Sequence, residues 1–166
     1  MSKSGKNLFF GRFEHKIDAK GRLQIPVTLR QYDRDRAYTS FILLKGSSKC
    51  LALVPVSDFH KTAQEFRPQL KAKGIVDFAR RLYPNAFEVQ LDNQGRILLP
   101  KNLREFAEIE DNALLVGVGS WIELWNEARY EQACAESETD YDEIANMFFS
   151  NLGRNSFEEQ NDEWKE

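Results

Sequence analysis

The stretch "IDAKGRLQIPVTLR", Ile17 to Arg30, returns 74 residues later as "LDNQGRILLPKNLR", Leu91 to Arg104. Phe13–Arg30 and Phe87–Arg104 align without a gap and agree at eight of eighteen positions: Phe13/Phe87, Glu14/Glu88, Asp18/Asp92, Gly21/Gly95, Arg22/Arg96, Pro26/Pro100, Leu29/Leu103 and Arg30/Arg104. Downstream, "FILLKGSSKCLALVPVSDFHKTAQEF" parallels "ALLVGVGSWIELWNEARYEQACAES", each with two strand-like apolar runs around a Gly-Ser turn and then a helical stretch. The chain is an internal duplication, and two copies are too few for a solenoid.

Within each copy, "FEHKI" and "FEVQL" alternate apolar and polar residues as half-buried strands do. Ala19-Lys20-Gly21 and Asn93-Gln94-Gly95 then separate Asp from Arg. Glycine in last place suits a three-residue hairpin loop closed by a left-handed residue, a type I turn with a glycine bulge. A short strand, "RLQI" or "RILL", runs to Pro26 or Pro100, which end it and suit the first turn of a short helix. The geometry sets Asp18 opposite Arg22 and Asp92 opposite Arg96 at the loop mouth. A lone surface pair of this kind contributes little to stability. Its repetition together with the glycine points to a tip that is used.

The connection between copies reads as helical pieces interrupted at Pro68 and Gly74, with Ile75, Phe78, Ala79 and Leu82 on one face. After the second copy, Asn126 to Ala135 and "YDEIANMFF" read as amphipathic helix, the latter with Ile144, Met147 and Phe148 on one face as core or subunit contact. The resulting organisation is repeat 1 over 12–57, a helical connection over 58–85, repeat 2 over 86–129, a helical segment over 130–149, and an acidic, mobile tail over 150–166.

The chain has 166 residues, 42% of them hydrophobic, enough for a substantial core. No apolar run approaches the roughly 20 residues of a spanning helix, and the polar start "MSKSGKN" lacks a leader's apolar core, so a cytoplasmic protein is expected. Cys50 and Cys134, without CxxC spacing, are read as buried reduced thiols with no metal role. A net charge of -3 conceals +5 over Met1–Arg36 and -9 over Glu131–Glu166, a basic front compatible with a phosphate-bearing partner and an acidic end repelled by one. His15 and His60 are the only histidines, and no nucleophile and base arrangement is evident. "VGVGS" lacks the lysine of a phosphate loop. Neither catalytic residues nor a cofactor, metal or small-molecule substrate is expected.

"FFGRFEHKIDAKGRLQIP", the paired Asp-x-x-Gly-Arg turns, "LREFAEI", "WIELWNE" and "AESETDYDEIANMFF", in that order, resemble the MraZ family of bacterial transcriptional regulators built from two SpoVT/AbrB-type repeats. The resemblance runs from about Leu8 to Phe149. It implies an α+β fold, an interleaved swapped-hairpin β-barrel formed by two AbrB-like repeats and flanked by helices. It further implies a homo-oligomer in a closed ring, binding double-stranded DNA at promoter direct repeats upstream of the division and cell-wall gene cluster, acting mainly as a repressor, and localised to the cytoplasm and nucleoid. Carried over residue by residue, the DNA-facing motif is Asp18 and Arg22 in the first copy and Asp92 and Arg96 in the second, with Lys20 as a phosphate contact inside the first motif. Arg30 and Arg104 join this DNA-binding set, with Arg34 and Arg36 as further backbone contacts.

Two departures stand out. Gln94 occupies the place of Lys20, so the tips are electrostatically unequal, and "YPNAF" stands at the entry to the second repeat in place of a small Ser-Gly-Ala-like run. The alternative function is a protein-binding module, similar to AbrB-like antitoxins, acting through the acidic C-terminal tail.

Overall fold

The computed structural model describes residues 7–162, apart from the side chains of residues 70, 73 and 155–162. The opening residues 1–6 and the last four residues of the acidic tail lie outside the described residues. The chain divides into two compact units after Ala133.

The first unit holds both copies. β1 (Arg12–Lys16), β2 (Arg22–Gln24), the single-turn α1 (Val27–Arg30), β3 (Ser40–Lys45) and β4 (Leu51–Pro55) come from the first. α2 (Val56–Phe66) and α3 (Lys73–Leu82) form the connection. β5 (Phe87–Gln90), β6 (Arg96–Leu98), α4 (Lys101–Ala107), β7 (Asn112–Gly117) and β8 (Ile122–Trp125) come from the second copy, and α5 (Glu127–Ala135) follows. The break between α2 and α3 is a 3₁₀ stretch, Arg67–Lys71, that contains Pro68. Gly74, expected to interrupt the helix, instead lies in the first turn of α3, where its N–H needs no helical partner.

Within a copy, β3–β4 and β7–β8 form ladders, and β1 meets β2 through a single bridge, Ile17 to Leu23. β1 pairs with β7 of the other copy, Phe13 opposite Leu115, and β5 pairs with β3, Val89 opposite Phe41. β4 pairs with β8, completing a six-stranded antiparallel sheet of order β1-β7-β8-β4-β3-β5. Exchanging the copies reverses this order onto itself. A separate two-stranded ladder joins β2 to β6, Leu23 opposite Ile97. The closed, interleaved barrel that was expected is not seen: β1 and β5 are the outer strands of the large sheet, and among the described residues no ladder joins them. The physical reason is the shortness of β2 and β6, each three residues long. Each is soon followed by proline, Pro26 or Pro100, which has no N–H to extend a ladder.

Alternation decides which side chains are enclosed. Leu23 and Ile97 point inward from the small ladder and are fully buried, with Ile25 and Leu99, against Phe41, Leu43, Leu51, Leu53, Ala113, Leu115, Ile122 and Leu124 of the large sheet. Each such Leu or Ile contributes about 1.5–3 kcal/mol on burial. The opposite face of the large sheet forms a second cluster of Leu114, Val116, Trp125 and Cys50, on which Tyr130 and Ala133 of α5 pack. Arg12 ties β1 to α5 through Glu131 at 2.7 Å and Glu127 at 3.1 Å.

Cys50 is a buried free thiol whose burial pushes its pKa up to about 12. Cys134 corrects the expectation of two buried thiols: it is free and exposed. In the second unit, α6 spans Tyr141–Asp162, so helix continues well past residue 149, where a mobile tail was expected to begin. Composition misled here: the acidic, polar run also contains Leu, Arg, Glu and Gln, which are good helix formers, and no proline stops it. Ile144, Met147, Phe148 and Phe149 are exposed on this helix. No helix among the described residues is long and apolar enough to cross a membrane.

Because Ile97 closes the small ladder over the core, Ile97→Ala should destabilise the protein by about 2–5 kcal/mol, read as a lowered midpoint in urea unfolding. A shift under about 0.5 kcal/mol, the range of surface substitutions, would show that the β2–β6 ladder is not integral to this core.

Candidate nucleic-acid interface

Each hairpin tip is built the same way. The Asp18 carbonyl accepts the Gly21 N–H at 2.9 Å, and the Asp18 N–H donates to the Arg22 carbonyl at 3.0 Å. Asp92, Gly95 and Arg96 repeat the pattern at 2.9 Å and 2.9 Å. Gly21 and Gly95 have φ of +80° and +75°, a conformation that residues with a β-carbon adopt reluctantly. This is a type I turn followed by a glycine bulge.

The aspartates hold the tips together. Asp18 Oδ1 accepts the Lys20 and Arg22 backbone N–H groups at 3.0 and 2.9 Å, and Oδ2 accepts Arg22 Nε–H at 2.7 Å. Asp92 does the same for Gln94, Arg96 and Arg96 Nε, at 2.9, 3.0 and 2.8 Å. The backbone N–H of the arginine, with the other donors, holds each carboxyl below the usual aspartate range against the opposing effect of desolvation. These bonds use the Nε edge of each arginine, not the terminal Nη amines. Lys20 and Gln94 are exposed at corresponding places.

The two tips lie side by side because β2 and β6 pair. Arg22 stands opposite Leu98 and Gln24 opposite Arg96, so these four share the outer face of the ladder while Leu23 and Ile97 fill its inner face. The loops are also bonded across copies: Ile25 N–H donates to the Gly95 carbonyl and Leu99 N–H to the Gly21 carbonyl, both at 2.9 Å. Two contacts break the symmetry. Arg96 Nη1 lies 3.8 Å from Asp18 Oδ2, with no reciprocal ion pair from Arg22 to Asp92 among the described residues. Gln24 donates to the Gln94 carbonyl at 2.7 Å, whereas its counterpart Leu98 is apolar and 57% exposed.

Arg30 and Arg104 stand differently. Each is half-buried, with its guanidinium next to the glycine of the opposite copy: Arg104 beside Gly21, Arg30 beside Gly95. The Nε of each is buried without a hydrogen-bond partner. Arg34 is exposed, while Arg36 is engaged inside its own loop, donating through Nε to the buried Asp33 at 2.7 Å and lying 4.4 Å from the Tyr32 ring centre. Sequence reasoning missed Asp33 and every contact between the copies. The repetition of Gly and Arg in both copies was the one available signal, and it does not say which Gly an Arg reaches.

His15 lies on β1 and His60 on α2, and the described residues contain no group of three or more His, Cys, Asp or Glu placed to hold a metal ion. The tips bring together two oriented, half-buried guanidinium groups, suited to recognising an anionic or acceptor-rich partner.

Comparison with known proteins bears on this architecture. The family model described as "MraZ protein, putative antitoxin-like" matches residues 8–74 and 82–152, one segment for each copy. Proteins named "Transcriptional regulator MraZ" are similar over most of their length: that of Pediococcus pentosaceus is 38% identical over 140 residues, 83% of this chain and 94% of the relative. The Symbiobacterium thermophilum relative is 40% identical over 136 residues, 81% and 96% of the two chains. The Pelotomaculum thermopropionicum relative is 36% identical over 148 residues, 88% and 99%. With both repeats matched and relatives above one-third identity covering more than four-fifths of it, the chain belongs to the MraZ family.

Proposed function

We propose that this protein is a sequence-specific DNA-binding transcriptional regulator, a binding protein rather than an enzyme. The observation that carries the reading is the pair Arg22 and Arg96 on the outer face of one two-stranded ladder, each fixed through Nε by its own aspartate. A two-stranded ribbon fits the major groove, and an arginine fork there can take guanine O6 and N7. The name carried by the relatives supports the same reading. Asp18 and Asp92 position the arginines, Gly21 and Gly95 shape the turns, and Lys20 neutralises phosphate at the first tip. Arg30 and Arg104 complete the DNA-binding set by acting on the tips, each lying beside a tip glycine.

The two ladders, on this reading, are the working form of the interleaved barrel, with repeats over 12–57 and 86–129. Several copies assemble into a closed ring and repress the division and cell-wall gene cluster from promoter direct repeats at the nucleoid. A ring multiplies weak single-tip contacts through effective concentration. A second reading, a protein-binding module of antitoxin type, draws on the description of the family model and on the exposed Ile144, Met147 and Phe148 of the acidic α6. Gel shift of protein truncated after Ala133 separates the two. Retained binding to the DNA upstream of its gene favours the regulator; failure of both the truncated and the full chain to bind any DNA favours the module.

Arg22→Ala should abolish specific binding in fluorescence anisotropy while leaving circular dichroism unchanged, and Arg96→Ala should weaken binding less, because the second tip lacks a lysine. Wild-type affinity in the Arg22 variant would remove this arginine from the interface.

Two elements in phase, about 10–10.5 bp apart or a multiple of it, should bind far better than one. Inserting about half a turn, ~5 bp, should return affinity toward the single-element value and reduce the salt dependence. Equal binding to all three DNAs would rule out a multivalent ring.

The aspartates set a pH limit. Because folding lowers their pKa values, their stabilising contribution is present above the ordinary value of about 3.9 and is lost as pH falls through the lowered folded values. Wild type should therefore melt higher than Asp18→Asn at pH 7 and pH 5, and the difference should shrink steadily below about pH 4. A gap that stays constant down to pH 2 would show that the Asp18 charge does not hold the tip.

A further inference from the structure

Arg30 and Arg104 repeat at the same place in both copies, but neither serves its own tip. A β-carbon built on Gly95 would overlap the Arg30 guanidinium, and one built on Gly21 would sit in ordinary contact, 3.5 Å, with an Nη atom of Arg104, so the closer approach is at the second tip. Both glycines are buried residues within otherwise exposed loops. A planar guanidinium can lie against a glycine more closely than against any residue with a side chain, which a rounded ammonium cannot reproduce. The unpartnered Nε of each arginine bears on why arginine stands there. If these side chains merely filled space, methionine would do so without burying an unsatisfied donor.

We propose that Arg30 and Arg104 are crossed positioning residues: Arg104 of the second copy sets the first tip, and Arg30 of the first copy sets the second. The two tips are then one coupled reading head, and no copy can present its tip without the other. The backbone bonds from Leu99 to Gly21 and from Ile25 to Gly95 run in the same crossed sense. The latches are unequal. The second tip is held by Arg30 and also by Gln24 through the Gln94 carbonyl, while the first is held by Arg104 and by the longer contact of Arg96 Nη1 with Asp18 Oδ2. This assignment rests on the DNA-binding reading for its consequence, but the latch itself exists without DNA.

Hydrogen exchange with mass spectrometry on the full chain, free of DNA, tests the latch directly. Arg104→Met should raise exchange several-fold over residues 18–22 and leave residues 92–96 as in wild type; Arg30→Met should do the reverse. A rise at the tip of the same copy, at both tips equally, or at neither would overturn the assignment. Circular dichroism accompanies each variant, and if a methionine variant does not fold, Arg104→Lys and Arg30→Lys supply the same exchange comparison. Anisotropy on the upstream DNA then separates positioning from charge. Arg104→Lys and Arg104→Met should both lose roughly threefold to tenfold in affinity. Full rescue by lysine, with a salt slope about one lower for Met alone, would make Arg104 a phosphate contact instead. Should wild type bind no DNA, the regulator reading fails while the crossed exchange pattern still decides the latch.

Discussion

The short ladder in which Leu23 faces Ile97 is the constraint on which the rest of the first unit depends. Neither three-residue strand could hold an edge in water by itself, since an isolated pair of strands is marginal even when longer. Each is stabilised because its inner residue is driven into the core shared with the large sheet. That burial draws the two hairpins together and puts both Asp-x-x-Gly-Arg turns at one place on the surface. The crossed pairings β1–β7 and β5–β3 follow from the same requirement, because a hairpin whose second strand pairs with the other copy carries its first strand there as well.

At the tips, one carboxylate does two jobs. Its first oxygen closes the turn by accepting two backbone N–H groups, and its second holds the arginine by Nε. Loop shape and guanidinium orientation thus share a single anion, and the hydrogen bonds that keep it ionised are the ones that shape the loop. A guanidinium held by Nε has lost much of its rotamer freedom before any partner arrives, which lowers the ordering cost of recognition.

The near-symmetry of the head is broken in charge at Lys20 against Gln94 and in polarity at Gln24 against Leu98 and Ala19 against Asn93. A head with true two-fold symmetry would read a palindrome. One with a cation at one tip and an exposed leucine beside Arg22 has a polarity, which is the property that binding to elements of one direction requires.

Much of this was legible in the chain itself. The duplication, the glycine-closed turns and the Asp–Arg pairs are local patterns, set by backbone sterics and by side chains within four residues of each other, and a sequence displays such patterns directly. The helix beyond residue 149 was equally local but was obscured by its acidic composition. Which copy each strand joins and which glycine each arginine covers were decided only by the tertiary structure. Those contacts join residues far apart in the chain, such as Phe13 with Leu115 and Gln24 with the Gln94 carbonyl. Their energy comes from burying a core that neither copy has alone, so no local pattern within one copy encodes them.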